Sequence, residues 1–213
     1  MSTRIAATTM NSRLGRVNTG TSSAAITAFF VCLITMLLSG AAYAKKVGSV
    51  TLEDSVTFND ATLVLNGAGM RKRLFFKLYV GSLYVDESVK GSSAQSMTLA
   101  NEAMLIQLNI LSDLLTRDKL IDALDTGFTK STGGDITPIQ AEITTMKEAM
   151  QEPVRPGDVY RIAYVPEVGT SIVRGDETLV TIPGLPFKQA VFGIWLSDNP
   201  AHASLKSAML AAD

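Results

Sequence analysis

The sequence predicts an α+β domain with a mainly antiparallel sheet covered by helices, and three observations carry that expectation. Period-two alternation with aromatic and β-branched residues dominates residues 45–85 and returns at 104–111. Helical periodicity then takes over from Thr116 to Gln151, strands resume over 160–182, and a helical pattern closes the chain. Blocks of strands and blocks of helices in that order argue for an antiparallel sheet with a helical layer, rather than for the strict alternation of a parallel sheet.

Residues 1–44 read as a removable leader. Arg4, Arg13 and Arg16 stand without any acid, an apolar run follows from Ala24 to Leu38, and Ala42-Tyr43-Ala44 offers small residues for cleavage. The run is short for a spanning helix, which needs about 20 residues. The expectation is a secretory signal peptide over 1–44 and one domain over 45–213, with an uncleaved anchor as the alternative and Met10 as a second start. Cys32 is the only cysteine and lies in the apolar run, without the Leu-small-small sequence that precedes a lipoprotein cysteine. Cleavage therefore leaves a chain with no cysteine and no stable membrane span, and burial rather than disulfides must hold it together in an oxidising compartment.

Without residues 1–44 the chain holds 16 Lys+Arg against 20 Asp+Glu, a net charge of −4 over 169 residues. That length suits one domain with a real core. The mild acidity argues against nucleic acid as a partner. His202 is the single histidine, placed after Pro200 where a helix begins. With no cysteine beside it, neither a zinc cluster nor a Ser-His-acid or Cys-His nucleophile has the groups it needs. No metal, no cofactor and no catalytic residue is assigned.

In chain order, apolar residues at even positions, Val50, Leu52, Val56 and Phe58, predict short edge strands after Lys45. Asn59-Asp60 punctuates, and a strand from Ala61 to Leu65 is expected to end in a tight turn at Asn66-Gly67-Ala68-Gly69. No Lys-Ser/Thr follows those glycines, so a phosphate-cradling loop is a weak alternative. Leu74 to Val85 reads as the next strand, with Gly81-Ser82 marking a bulge or a bend. If it is regular, Leu74, Phe76, Leu78 and Val80 share one face and Arg71, Arg73, Lys77 and Tyr79 the other.

A polar loop and short helix run to Ala100, followed by a half-buried strand at Met104–Leu111. Thr116 is the N-cap of a helix with Leu120, Ile121, Leu124 and Phe128 on one face. Gly133-Gly134 ends it, and Pro138–Gln151 reads as a second helix. Tyr160, Ile162 and Tyr164 mark a strand, and a hairpin turns at Gly175-Asp176. The Arg174-Gly175-Asp176 tripeptide there is what a hairpin tip requires and is not read as an adhesion motif. Phe187, Ala190, Val191, Ile194 and Trp195 fit a helical template, Pro200 breaks it, and Leu205 and Met209 belong to a last short helix.

The chemistry concentrates at Arg71-Lys72-Arg73, set against an aromatic strand. An unpaired cation removed from water is costly, so Arg71 should meet an anion, either internal or bound. Asp86 and Glu102 are the internal choices.

Asn66-Gly67-Ala68-Gly69-Met70-Arg71, followed by Lys77-Leu78-Tyr79-Val80-Gly81-Ser82-Leu83-Tyr84-Val85, resembles the first signature of the chalcone isomerase-like family, in particular its bacterial secreted branch. Ile182-Pro183-Gly184 and Phe187 to Leu196 resemble that branch's C-terminal signature. The resemblance spans Lys45 to Leu210. It implies an open-faced β-sandwich, a large mainly antiparallel sheet backed by a layer of helices with a ligand cleft between them, and a periplasmic location after secretion across the inner membrane.

Family enzymes cyclise chalcones with an arginine and a set of Thr, Tyr and Asn groups, whereas other members bind fatty acids without catalysis and hold the carboxylate on the same arginine. Arg71 matches that arginine. Tyr79 and Ile194 stand where the enzymes carry threonines, and the tyrosine and asparagine of their central helix fall near Lys119 and Thr126. Cyclisation needs several polar groups aimed at one oxyanion, and most of that set is absent.

The reading is therefore a non-catalytic envelope protein that binds a fatty acid or similar small apolar acid. Its ligand-binding residues are Arg71, Tyr79, Thr126, Phe76 and Trp195, with Leu74, Leu78, Phe187 and Val191 as further apolar walls. The alternatives are a module for an unidentified envelope protein partner, with a filled core, or an intramolecular lyase or isomerase of the family type. Geometry sets one condition. On a straight strand Arg71 and Tyr79 would lie roughly 26 Å apart at about 3.3 Å per residue, so a shared site requires the chain to turn between Arg71 and Lys77.

Overall fold

The computed structural model describes residues 44–211. Apart from Ala44, the leader assigned to residues 1–44 lies outside the described residues. Among these the elements run β1 (Lys45–Val47), β2 (Val50–Leu52), β3 (Ser55–Phe58), β4 (Ala61–Arg73), β5 (Phe76–Val85), α1 (Ala94–Leu99), β6 (Met104–Ile110), α2 (Arg117–Ser131), α3 (Gln140–Ala149), β7 (Val159–Val165), β8 (Gly169–Arg174), β9 (Glu177–Ile182), α4 (Leu185–Leu196) and α5 (Ala203–Leu210). The region read as a helix over Pro138–Gln151 is a 3-10 turn at Thr137–Ile139 followed by α3.

Strands β3 to β9 form one seven-stranded sheet in which each strand pairs with the next in sequence. Every pairing is antiparallel, and β1 and β2 pair separately as a hairpin. Even β6 and β7, with α2 and α3 between them, remain neighbours. Alternation decides which face each side chain serves. Leu83, Ile106, Leu108, Tyr160, Ile162 and Ile172 join Leu120, Leu124, Phe128, Met146, Val191 and Trp195 in the main core, which puts the helices on that face. The opposite face carries two smaller clusters, around Tyr84 and Leu105 and around Leu52 and Val80. This is the α+β, sheet-and-helix-layer architecture that the block order predicts.

Helix ends follow local chemistry. The Thr116 side chain accepts from the Lys119 amide and starts α2. Pro186 stands in the first turn of α4, behind Gly184 at φ +96°. Helix α4 is apolar nearly all round and accordingly buried. Its one lysine, Lys188, is fully buried and donates to the carbonyls of Met97, Thr98 and Ala100, each at 2.8 Å. A cation at the C-terminal end of α1 thus satisfies carbonyls that the helix cannot.

Three expectations about the first long strands are corrected. Asn66-Gly67-Ala68-Gly69 is not a tight turn but the middle of β4, because its glycines admit a helix rather than a bend. A Cβ on Gly67 would lie 2.4 Å from the Ala208 carbonyl oxygen, and one on Gly69 would lie 2.5 Å from the Ala208 Cβ. Buried Asn66 fastens the contact, donating to the Met209 carbonyl at 2.8 Å and accepting from the Gly91 amide at 2.9 Å.

The strand expected from Leu74 begins only at Phe76, since the chain reverses at Leu74-Phe75 and pairs Arg73 with Phe76. The face assignment falls with it at Arg73 and Phe76, which pair and so share a face, while Arg71 and Tyr79 share a face as expected. The bulge expected at Gly81-Ser82 is absent from β5, and the register instead slips at Leu65/Gly67 and Arg71/Lys72 of the β4–β5 pair. Gly81 serves α5 as well, for a Cβ there would meet the Met209 Cε at 2.6 Å.

Candidate functional site

A cavity of about 610 Å³ opens beside the β4–β5 hairpin, walled by that hairpin and α2, with residues of β6 and α4 behind. Its volume falls within the roughly 300–1,000 Å³ of small-molecule sites. Each element contributes for a local reason. The turn at Leu74-Phe75 brings β4 and β5 together so that Arg71 and Tyr79 are directly paired across the two strands, and paired side chains there stand about 5 Å apart at Cβ. The condition set by the sequence is met by a hairpin.

Arg71 is half-buried. It donates one guanidinium bond to the Lys72 carbonyl, and among the described residues it makes no ion pair with an acid. Asp86, one expected partner, instead accepts from the Ser88 amide and hydroxyl. Glu102 acts electrostatically on Lys188.

Tyr79 is buried, and the Trp195 indole N–H donates to its oxygen at 3.2 Å. An indole nitrogen can only donate. The phenol proton is therefore not consumed by that bond and remains for another acceptor. Burial pushes the Tyr79 pKa above its ordinary value, against the opposing pulls of the Trp195 bond and the Arg71 charge. Tyr79 is thus a neutral donor beside a permanent cation.

All five residues singled out from the sequence, Arg71, Tyr79, Thr126, Phe76 and Trp195, line this cavity. Thr126 is exposed on α2, and Phe76 is 55 % exposed at the start of β5. Among the further apolar walls expected, Leu74 and Leu78 line it as well. Phe187 and Val191 do not, since they are fully enclosed in the core. Lys119 and Ile194, where the resemblance places enzyme polar groups, are both in the lining.

Sequence reasoning named Thr126 and placed Lys119 by resemblance, but it missed Lys130 and the charged rim that the stripe makes on α2. Lys119, Ala123, Thr126 and Lys130 face the cavity, and their spacing of i, i+4, i+7 and i+11 is the helical stripe that could have revealed them. With Arg71 and Arg73 they make four cations against one acid, Asp122, at the lining. Such a mouth attracts anions. Leu114 and Leu115, in the loop after β6, complete the apolar wall, and the Lys119 ammonium donates to the Leu114 carbonyl at 2.9 Å. A void of about 10 Å³, lined in part by Met146 and Met150, shares Leu108, Leu120, Leu124 and Trp195 with the cavity.

His202 was also missed as a neighbour of the site. It directly precedes α5, and its Nδ1 lies 2.9 Å from the Ser204 hydroxyl. Burial first, and then the Arg71 charge, hold its pKa below the ordinary histidine value. Among the described residues no group of three or more His, Cys, Asp or Glu comes together as a metal site. No helix among them is long and apolar enough to cross a membrane.

Comparison with known proteins places this geometry. The sequence matches the family model described as chalcone isomerase-like over residues 44–211. Among solved structures, a fatty-acid binding protein of Arabidopsis thaliana is similar, with a TM-score of 0.59 at 14 % identity, covering 76 % of this chain and 92 % of that one. A search of curated proteins finds no match to this chain. At that identity the structural likeness speaks for the fold, while the family match covers all of the described residues. The chain belongs to the chalcone isomerase-like family.

Proposed function

We propose that the protein binds a fatty acid or similar apolar carboxylate, with its head group on Arg71 and Tyr79 and its tail along the cavity. The observation that carries this reading is the cross-strand pairing of Arg71 with Tyr79 at the cavity wall, together with the Trp195 bond that leaves the phenol proton unspent. A carboxylate accepts two bonds from a guanidinium fork and further ones from neutral donors, so both of its oxygens find partners here. Leu78, Leu108, Leu115, Leu120 and Leu124 supply the apolar wall for the tail. The structurally similar plant protein is named for binding fatty acids, which is consistent with the same ligand class.

A cyclising activity has less support. Ile194 lines the cavity where the resemblance expects a hydroxyl, and beyond the rim cations the donors are Arg71, Tyr79 and the exposed Thr126. We further propose that the protein works in the periplasm as residues 45–213. The basic, apolar and small-residue order of residues 1–44 supports this, and N-terminal sequencing of the periplasmic protein should begin at Lys45.

Native mass spectrometry with lipid extraction tests the ligand. An apolar acid should accompany the wild-type protein and be missing from Arg71→Ala. Equal ligand content in both would remove the assignment.

A further inference from the structure

The tip of the β4–β5 hairpin departs from the chemistry its position favours. Leu74 and Phe75 are the two-residue connection between the register partners Arg73 and Phe76. Such connections favour Asn, Asp and Gly, since a central residue takes positive φ. Leu74 fills that place at φ +56°. The other non-glycine residues with positive φ among those described are Asn59, Asp60 and Glu167, all polar. Leu74 is 83 % exposed, Phe75 94 % and Phe76 55 %, so three consecutive large apolar side chains stand in water. Leu99 and Val168, by contrast, are single exposed residues of the ordinary kind. A sequence that breaks a local rule without any packing gain points to a use elsewhere.

Charge around the tip has one sign. From Asn66 to Val85 the chain carries Arg71, Lys72, Arg73 and Lys77 and no acid. Lys72, Arg73 and Lys77 are exposed. An apolar apex flanked by long cations is suited to a surface whose interior is hydrocarbon and whose face is anionic, with the side-chain stems lying along the apolar layer and their charges at the head groups.

We propose that this tip docks on an anionic lipid bilayer, with Leu74 and Phe75 entering the apolar boundary and Lys72, Arg73 and Lys77 meeting phosphate head groups. An apolar protein groove would take the same apex, but it gives no reason for four cations without a single acid. The proposal stands whatever the cavity holds. One consequence rests on the fatty-acid reading: Arg73, Leu74 and Phe76 belong both to the tip and to the cavity lining, so docking sets the mouth against the surface from which an apolar acid would come.

Sedimentation of the purified protein, in the length the cell leaves it, with phosphatidylcholine vesicles with and without phosphatidylglycerol tests this. The expected result is salt-sensitive binding that requires phosphatidylglycerol, weakened about tenfold or more by Phe75→Asn. Lys72→Gln with Lys77→Gln should weaken it by about fivefold for each cation removed. Phe75 does not line the cavity and asparagine suits the turn, so Phe75→Asn should keep the wild-type melting temperature and palmitate binding; that result separates docking from ligand binding. Absence of vesicle binding, or equal binding by wild type and Phe75→Asn, would overturn the proposal. So would a change of oligomeric state in Phe75→Asn without a change in vesicle binding, since the occupant would then be a second copy of the chain.

Discussion

Arg71 and Tyr79, eight positions apart in sequence, are direct partners across the β4–β5 hairpin, and Tyr79 in turn accepts the Trp195 indole N–H from α4. Sheet and helix layer meet through that chain of groups at the cavity wall. The helix contributes no charge there, yet its N–H decides which way the phenol can donate. A cation and a neutral donor on one wall, apolar residues beyond them, and a mouth rich in Lys and Arg are the requirements of a carboxylate with a long tail.

Removing the guanidinium should reduce affinity for palmitate by about tenfold to a hundredfold, the equivalent of roughly 1.5–3 kcal/mol for a charge-assisted bond. Arg71→Lys should recover part of this, since it keeps the charge and loses the fork. Calorimetric titration of Arg71→Ala, Arg71→Lys and wild type measures the order. Because Arg71 pairs with no acid among the described residues, the melting temperatures should stay close to one another.

Tyr79→Phe has two effects that can be read separately. It removes a donor to the ligand, and it leaves the buried Trp195 N–H without its acceptor, at a cost of about 1–3 kcal/mol in stability. Trp195→Phe combined with Tyr79→Phe should cost less than the sum of the single changes, because the first removes the group that the second strands. Denaturant melts of the four proteins form the cycle, and strict additivity would mean that the bond contributes nothing.

The fold class was legible because periodicity and block order depend on burial alone, and burial patterns such as Leu120-Ile121-Leu124-Phe128 are local. The hairpin was not legible. Leu74-Phe75 carries none of the Asn, Asp or Gly chemistry that announces a two-residue turn, whereas Asn66-Gly67-Ala68-Gly69 carries an Asn and two Gly and continues strand β4 through a register slip at Asn66. In both places a distant requirement overrides turn propensity: close approach of α5 at the glycines, and at the tip a pair of strands whose partners lie on either side. Arg71, Tyr79, Lys119 and Thr126 could be placed from the family resemblance, and Trp195 from the apolar helical pattern. Lys130 and His202 could not, because their role depends on where α2 and the start of α5 lie relative to the hairpin.

Gly67→Ala should destabilise the protein by about 1–3 kcal/mol through overpacking. The added Cβ would sit 2.4 Å from the Ala208 carbonyl oxygen, which is backbone and cannot swing aside. Thermal melting checks this. An unchanged melting temperature would mean that α5 does not rest on β4 as described.

Lys188→Met should cost about 1–3 kcal/mol by leaving the Met97, Thr98 and Ala100 carbonyls without their common donor. Palmitate affinity should be unaffected, as Lys188 is absent from the cavity lining. A loss of affinity alongside unaltered stability would reverse the roles assigned to the two sites.

His202 is the only histidine in the chain, so its ring resonances report one place, beside Arg71. Its pKa lies below the ordinary value, held there by burial first and the Arg71 charge second. Below the unfolded value of about 6.5 the unfolded chain binds the proton more readily, so this contribution to stability is present above that pH and is lost as pH falls through the folded pKa. The decisive measurement is an NMR pH titration of His202 in untagged protein, alone, with palmitate and with methyl palmitate. A carboxylate seated on Arg71 neutralises the charge that disfavours the imidazolium, so palmitate should raise the His202 pKa and the ester should not. No movement with palmitate, or equal movement with both, would contradict a carboxylate site at Arg71.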